Sequence, residues 1–234
     1  MMNQSLITPQ LIEYYVATKL PLPMQNATGI EYWVAHNGVF ARAQRSGLTV
    51  LMPVSIHEQP IKGLVELQPF IQLNPLVPEA LLWRLWAISQ GERCANAYHN
   101  CPKEVLFHLV LEDGQWQLIT PDQLQSQTSC QPFDTSADSS THQALIEIHS
   151  HGNLLAYFSP TDDADECSGF RIYGVLGNVR EVRSEILLRV GLFGHGWTIP
   201  VQQMFEVDAN HGLNDLCQTN GSVYYAISRS HLEL

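Results

Sequence analysis

The chain has 234 residues, room for one large domain or two small ones, and 45% of them are apolar, as expected of a protein with a buried core. Its 23 acidic and 12 basic residues leave a net charge of −11, which argues against non-specific binding to nucleic acid or to an anionic membrane surface. No apolar stretch is long enough to cross a bilayer. The start, Met-Met-Asn-Gln-Ser-Leu, lacks the basic and apolar regions of a secretory signal. Cys94, Cys101, Cys130, Cys167 and Cys217 are scattered and form no CxxC pair, the pattern of reduced thiols, so a cytoplasmic location is expected.

In chain order, residues 10–19 read as a short apolar helix ended by Leu20-Pro-Leu-Pro23. Strand-like pieces follow at 30–35, 39–45, 48–56 and 64–73, with His36-Asn-Gly38 as a hairpin turn and Pro69 marking an edge or bulged strand. The texture changes at Asn74-Pro75-Leu76-Val77-Pro78, and a domain boundary is placed there. Residues 1–75 then form a small β-rich N-terminal domain and residues 76–234 a second domain.

A helix is expected from Pro78, in its first turn, to about residue 96, with Leu81, Leu82, Leu85, Trp86 and Ile88 at helical spacing. An apolar strand follows at 104–111, then the Glu112-Asp-Gly114 turn and a strand at 115–120. Residues 121–143 are polar and read as an exposed loop, long enough to suggest a functional role. Strands are read at 170–177 and 185–193, a turn and short strand at 194–200, and weak alternation over the last thirty residues. Tyr32, Trp33, Trp83 and Trp86 read as core, Cys167 as a buried thiol and His195 as a turn residue.

The stretch that carries chemistry is Ala144-Leu-Ile-Glu-Ile-His-Ser-His-Gly152 and the residues after it. On a strand, His149 and His151 share a face, roughly 6 to 7 Å apart at Cα. Two imidazoles and one carboxylate make a zinc site with an open fourth position. Ser159-Pro-Thr-Asp162 reads as a helix start, with serine as the cap and an acid at the third helical position. That geometry also fixes where the Asp162 carboxylate points, with Asp163 and Asp165 as rival ligands.

The order His-x-His, seven residues, Ser, two residues, Asp resembles the JAMM motif of the MPN (Mov34/JAB) metalloprotease family. The Gly-Phe-Arg-Ile-Tyr-Gly-Val-Leu-Gly177 run and the His-Ser-His-Gly form are similar to the bacterial branch associated with the PRTRC plasmid system. The resemblance implies an α/β (α+β) fold, a mixed curved sheet flanked by helices of the cytidine-deaminase-like type, over residues 76–234. It implies Zn²⁺ held by His149, His151 and Asp162, with Ser159 steadying the tetrahedral intermediate. It also implies a catalytic glutamate at the start of the strand after the first long helix, where Glu104 stands. Val105-Leu-Phe-His108 follows it in place of the family's small residue and glycine, and glycine replaces proline after His151. Glu147 competes for the role of base because it shares a strand face with His149, but a base must approach the water from another element, which favours Glu104.

The implied activity is zinc hydrolysis of a peptide or isopeptide bond. The implied substrate is a ubiquitin-like protein or a peptide, and the implied partners are E1-like and E2-like enzymes of the same bacterial system. A metal-holding scaffold without turnover is the alternative. A metal-dependent nuclease is a third reading, and it sits badly with the acidic charge.

Overall fold

The computed structural model describes residues 12–25, 29–92, 102–181, 183–208 and 212–219. The chain forms two compact units, Met1–Asn74 and Pro75–Leu234.

The first unit is a five-stranded sheet in sequential order: β1 (Ile12–Val16), β2 (Ile30–Val34), β3 (Gly38–Arg45), β4 (Leu48–Ile56) and β5 (Phe70–Leu73). Strands β1 and β2 pair in parallel and the rest are antiparallel. The expected helix at 10–19 is not found: its described residues include a strand. Ile-Glu-Tyr-Tyr-Val is β-branched and aromatic, and Tyr14 and Tyr15 stack on Tyr32 and Trp33 of β2 at 5.5 and 4.7 Å. Of the expected 64–73 strand only β5 forms, at the sheet edge just after Pro69. Trp33 is buried with Phe40, Leu51 and Leu67, whereas Tyr32 is only half-buried. Glu31 and Arg42 form a buried ion pair, and the Trp33 indole also donates to Glu31.

The second unit opens with β6 (Val77–Pro78) and α1 (Glu79–Gly91). Pro78 is the residue before the helix, not part of its first turn, and the helix stops at Gly91 because Glu92 is already extended. Residues 93–101, where the rest of the expected helix falls, lie outside the described residues. Leu82 and Leu85 are buried, while Trp83 and Trp86 are half-buried.

The main sheet of this unit comprises β7 (Leu106–Glu112), β8 (Gln115–Ile119), β11 (Ile146–Ser150), β12 (Phe170–Gly177), β13 (Glu185–Leu192) and β14 (His195–Ile199), in the order β14-β13-β12-β11-β7-β8. Here β9 (Gln123–Gln125), β10 (Cys130–Pro132) and α2 (Ser140–Gln143) precede β11, and α3 (Pro160–Asp165) with a 3₁₀ turn at Glu166–Ser168 follows it. The chain ends, as described, in β15 (Phe205–Glu206), which pairs with β6, β16 (Asn214–Asp215), which pairs with β13, and α4 (Leu216–Thr219). Most of the weakly alternating C-terminal stretch lies outside the described residues.

Strand β11 is central, parallel to β12 and antiparallel to β7. Ile146, Ile148 and Ser150 turn into the core beside Phe107, Leu109, Ile172 and Leu188, all fully buried. Glu147 and His149 therefore face the other way, as alternation requires.

The expected loop at 121–143 is largely structured. Strands β9 and β10 form an antiparallel hairpin, and α2 is one helical turn. A side chain fastens the hairpin: the Gln123 amide accepts from Leu106 N at 2.7 Å and donates to Leu106 O at 3.0 Å, as a neighbouring strand would.

The loop after β11 is pinned to the ends of β12 and β13. His151 N donates to Leu176 O, Asn178 N to Leu154 O and Val179 N to Gly152 O, at 2.7, 2.7 and 2.9 Å. Ala156 N donates to Glu185 Oε2 at 2.9 Å. The approach is so close that a Cβ on Gly177 would lie 2.1 Å from Ala156 N. Gly177→Ala is therefore expected to destabilise the protein by about 1–3 kcal/mol, seen as a lower denaturant midpoint at unchanged slope.

Candidate metal centre

His149 is the last cleft-facing residue of β11, held between Leu106 of β7 and Val175 of β12. His151 lies just beyond the strand and is buried. Gly152 then turns the chain at φ 58°, with Pro102 so close that a Cβ would lie 2.7 Å from its Cγ. Glycine at this position answers to both requirements.

The two Nε2 atoms are 3.0 Å apart. His151 Nδ1 lies 3.0 Å from Leu155 O, and a carbonyl can only accept, so the ring proton sits on Nδ1. In the neutral ring that tautomer leaves His151 Nε2 bare, the form that binds a metal, with the backbone fixing the tautomer. Burial, against the pull of Asp162, lowers the His149 pKa to about 4, so this ring is neutral near pH 7.

Asp162 comes from α3. Ser159 caps that helix, with Oγ accepting from Asp162 N at 3.2 Å while Asp162 Oδ2 accepts from Ser159 N at 2.6 Å. The reciprocal pair uses one carboxylate oxygen and leaves Oδ1, which lies 3.6 Å from His149 Nε2. One ligand atom from each of His149, His151 and Asp162 falls within 4.8 Å of the others, so the donor set fits a divalent ion with two imidazoles and a carboxylate.

Glu104 precedes β7 by two residues and is 6% exposed. It is set by Glu104 N bonding Ser126 O at 2.9 Å, and by Ser150, whose N and Oγ bond Val105 O and N at 3.0 and 3.2 Å. Its Oε1 lies 4.0 Å from His151 Nε2. Burial, helped by the charge of Asp162, pushes its pKa up to about 7.

Glu147 is held differently. Arg171 Nη1 donates to its Oε2 at 2.8 Å, and His108 Nε2 lies 3.6 Å from the same oxygen. Burial opposes ionisation there, yet His108 and Arg171 keep the carboxyl below its ordinary value. Asp163 accepts from Arg189 at 2.7 Å and so is engaged elsewhere, while Asp165 is exposed at the cleft rim.

These groups share a cleft of ≈ 600 Å³. Thr128 to Pro132 of the β9–β10 hairpin form one wall, and Leu154 and Tyr157 line another side. The Tyr157 ring meets that of His151 edge-on at 4.7 Å. Glu104, His149, His151, Ser159 and Asp162 all line this cleft, as do the rivals Glu147 and Asp165, whereas Asp163 does not. His195 and Cys167 do not, and line a separate small hollow with Arg189.

Sequence reasoning did not find Arg171, Arg189, Tyr157 or the hairpin wall. The available signal was an arginine in each of two apolar strand runs, because a buried guanidinium needs acidic partners.

Residues 79–188 match the sequence profile of prokaryotic homologs of the JAB domain. No curated protein matches the chain.

The purified protein is expected to bind about one zinc per chain. His149→Ala with His151→Ala should abolish binding in a zinc titration, whereas Asp165→Asn should retain it.

Proposed function

We propose that this chain is a JAB-family, zinc-dependent hydrolase of peptide or isopeptide bonds, on the match of residues 79–188 and the His149, His151, Asp162 cluster. The observation that carries the reading is the position of Glu104: a buried carboxylate with no lysine or arginine partner among the described residues, 4.0 Å from a ligand imidazole and on a different element from all three ligands. His149, His151 and Asp162 would hold the zinc. Bound there, zinc supplies Lewis-acid polarisation of a carbonyl and makes water a better nucleophile near pH 7.

Glu104 takes the proton from the attacking water and passes it to the leaving nitrogen. Its raised pKa suits both halves of that transfer, since the group is neither a strong acid nor permanently ionised. Ser159 Oγ already accepts the helix N–H of Asp162, so its own proton is free to donate to the developing oxyanion. Glu147 is a poor base because Arg171 stabilises its charge and occupies the oxygen.

The substrate proposed is the tail of a ubiquitin-like protein, or a peptide, in a bacterial conjugation-like system. In support, the cleft lies between a hairpin and a rigid loop that exposes Leu154, Leu155 and Tyr157, a setting suited to an extended chain with apolar side chains. The acidic cleft suits a substrate whose leaving group is a lysine amine.

The test is a cleavage assay on ubiquitin-like and peptide substrates, with and without chelator. Glu104→Gln is expected to keep its zinc and lose about 10²–10⁴ in kcat, and Ser159→Ala about 10²–10³. Unchanged turnover in Glu104→Gln would remove it as the base. Zinc binding without cleavage of any substrate would leave the chain a metal-holding scaffold.

A further inference from the structure

One residue outside the ligand set touches the chain on both sides of Ser159 and Asp162. Arg189, in the middle of β13, is 3% exposed. Its Nη1 donates to Asp163 Oδ1 at 2.7 Å and its Nε to Glu166 Oε2 at 2.6 Å. Its guanidinium carbon lies 3.7 Å from the centre of the Phe158 ring. Phe158 immediately precedes the Ser159 cap, and Asp163 immediately follows Asp162. The strand register places Arg189 opposite Tyr173, and Tyr173 opposite Glu147, two residues before His149 on the same face of β11.

We infer that Arg189 is a positioning residue for the metal. Gripping Phe158, Asp163 and Glu166, it holds α3 against the sheet where Asp162 Oδ1 completes the ligand set. The inference rests on the metal-site reading above.

Helix α3 cannot hold this position alone. It has six residues, too few for a helix to be stable by itself, and none is buried. Its capping box fixes Asp162 relative to Ser159, but not the helix relative to β11. A planar guanidinium with donors in a fixed fork, anchored on the same sheet as the histidines, supplies that link. It also selects among acids. Asp163 and Glu166 are each engaged by a guanidinium nitrogen and Asp165 is exposed at the cleft rim, while Asp162 is the α3 carboxylate that faces His149.

The test uses the full chain and three readouts: zinc affinity by competition with a chromogenic chelator, the absorption spectrum of the Co²⁺-loaded protein, and the Tm of the metal-free protein. Arg189→Lys keeps the charge and loses the fork. The triple variant Arg189→Met, Asp163→Asn, Glu166→Gln removes all three charges together, so no buried acid is left unpaired. Both are expected to bind zinc about 10- to 100-fold more weakly, with an altered Co²⁺ spectrum. In the triple variant Asp162→Ala should cost fewer-fold in affinity than in the unsubstituted chain, since that ligand is already displaced.

A folded triple variant with unchanged affinity and spectrum would overturn the inference, as would equal cost of Asp162→Ala in both backgrounds. If the triple variant does not fold, Asp163→Asn decides: its site is partly exposed, and roughly a threefold loss of affinity at near-unchanged Tm is expected. No loss would overturn the inference. Failure of the unsubstituted chain to bind zinc would instead overturn the metal-site reading itself.

Discussion

The centre depends on the register of β11. This strand is bonded on both edges, antiparallel to β7 and parallel to β12. A slip of one residue would turn Ile146 and Ile148 out of the core and drive Glu147 and His149 into it. Two neighbouring ladders and a densely apolar rear face oppose such a slip. The one polar residue on that face, Ser150, spends its side chain on Val105 N and thereby fixes the residue next to Glu104. The contacts that protect the fold also place a candidate base beside the imidazoles.

The second determinant is how two arginines divide the acids around the cleft. Arg171 takes Glu147, and Arg189 takes Asp163 and Glu166. Each pairing engages a carboxylate and removes it from competition as ligand or base; at Glu147 the neighbours His108 and Arg171 also keep the carboxyl below its ordinary value, whereas at Glu166 burial outweighs Arg189 and pushes the pKa up to about 8. Glu104 has no arginine partner among the described residues, and burial, helped by the charge of Asp162, raises its pKa. Identical side chains within one cleft are thus driven to different protonation behaviour by their neighbours, the usual means by which a protein separates an acid–base group from a fixed charge.

Much of this was legible in the sequence where the signal is local. The apolar runs that become β7, β11, β12 and β13 are dense enough to read directly, and the candidate ligands His149, His151 and Asp162 follow from the motif resemblance. What failed was non-local. Residues 12–16 read as part of a helix because the partner that makes them a strand, β2, lies further along the chain and stacks aromatics on them. The 121–143 segment read as loop because its hairpin is secured by one glutamine side chain bonded to the backbone at Leu106, which no periodicity reports. Arg189 carries no local signal, because its partners Asp163 and Glu166 lie on another element.

The interval between the histidines and Ser159 has a physical reason of its own. From His151 the chain must leave β11, cross the ends of β12 and β13, and start a helix on their cleft side. Gly152 makes the turn, Leu154 O receives Asn178 beyond β12, and Ala156 reaches Glu185 at the start of β13. Phe158 then arrives over Arg189 in the same strand. The crossing is anchored at every second residue, Gly152, Leu154, Ala156 and Phe158, so a longer or shorter link would start the helix elsewhere. At its end the capping box does two things with the same bonds. It closes the helix with Asp162 Oδ2 and a lone pair of Ser159 Oγ, and it leaves Oδ1 and the hydroxyl proton facing the cleft. The helix start and the functional motif are therefore not competing explanations of Ser159 and Asp162, because the first produces the geometry the second requires.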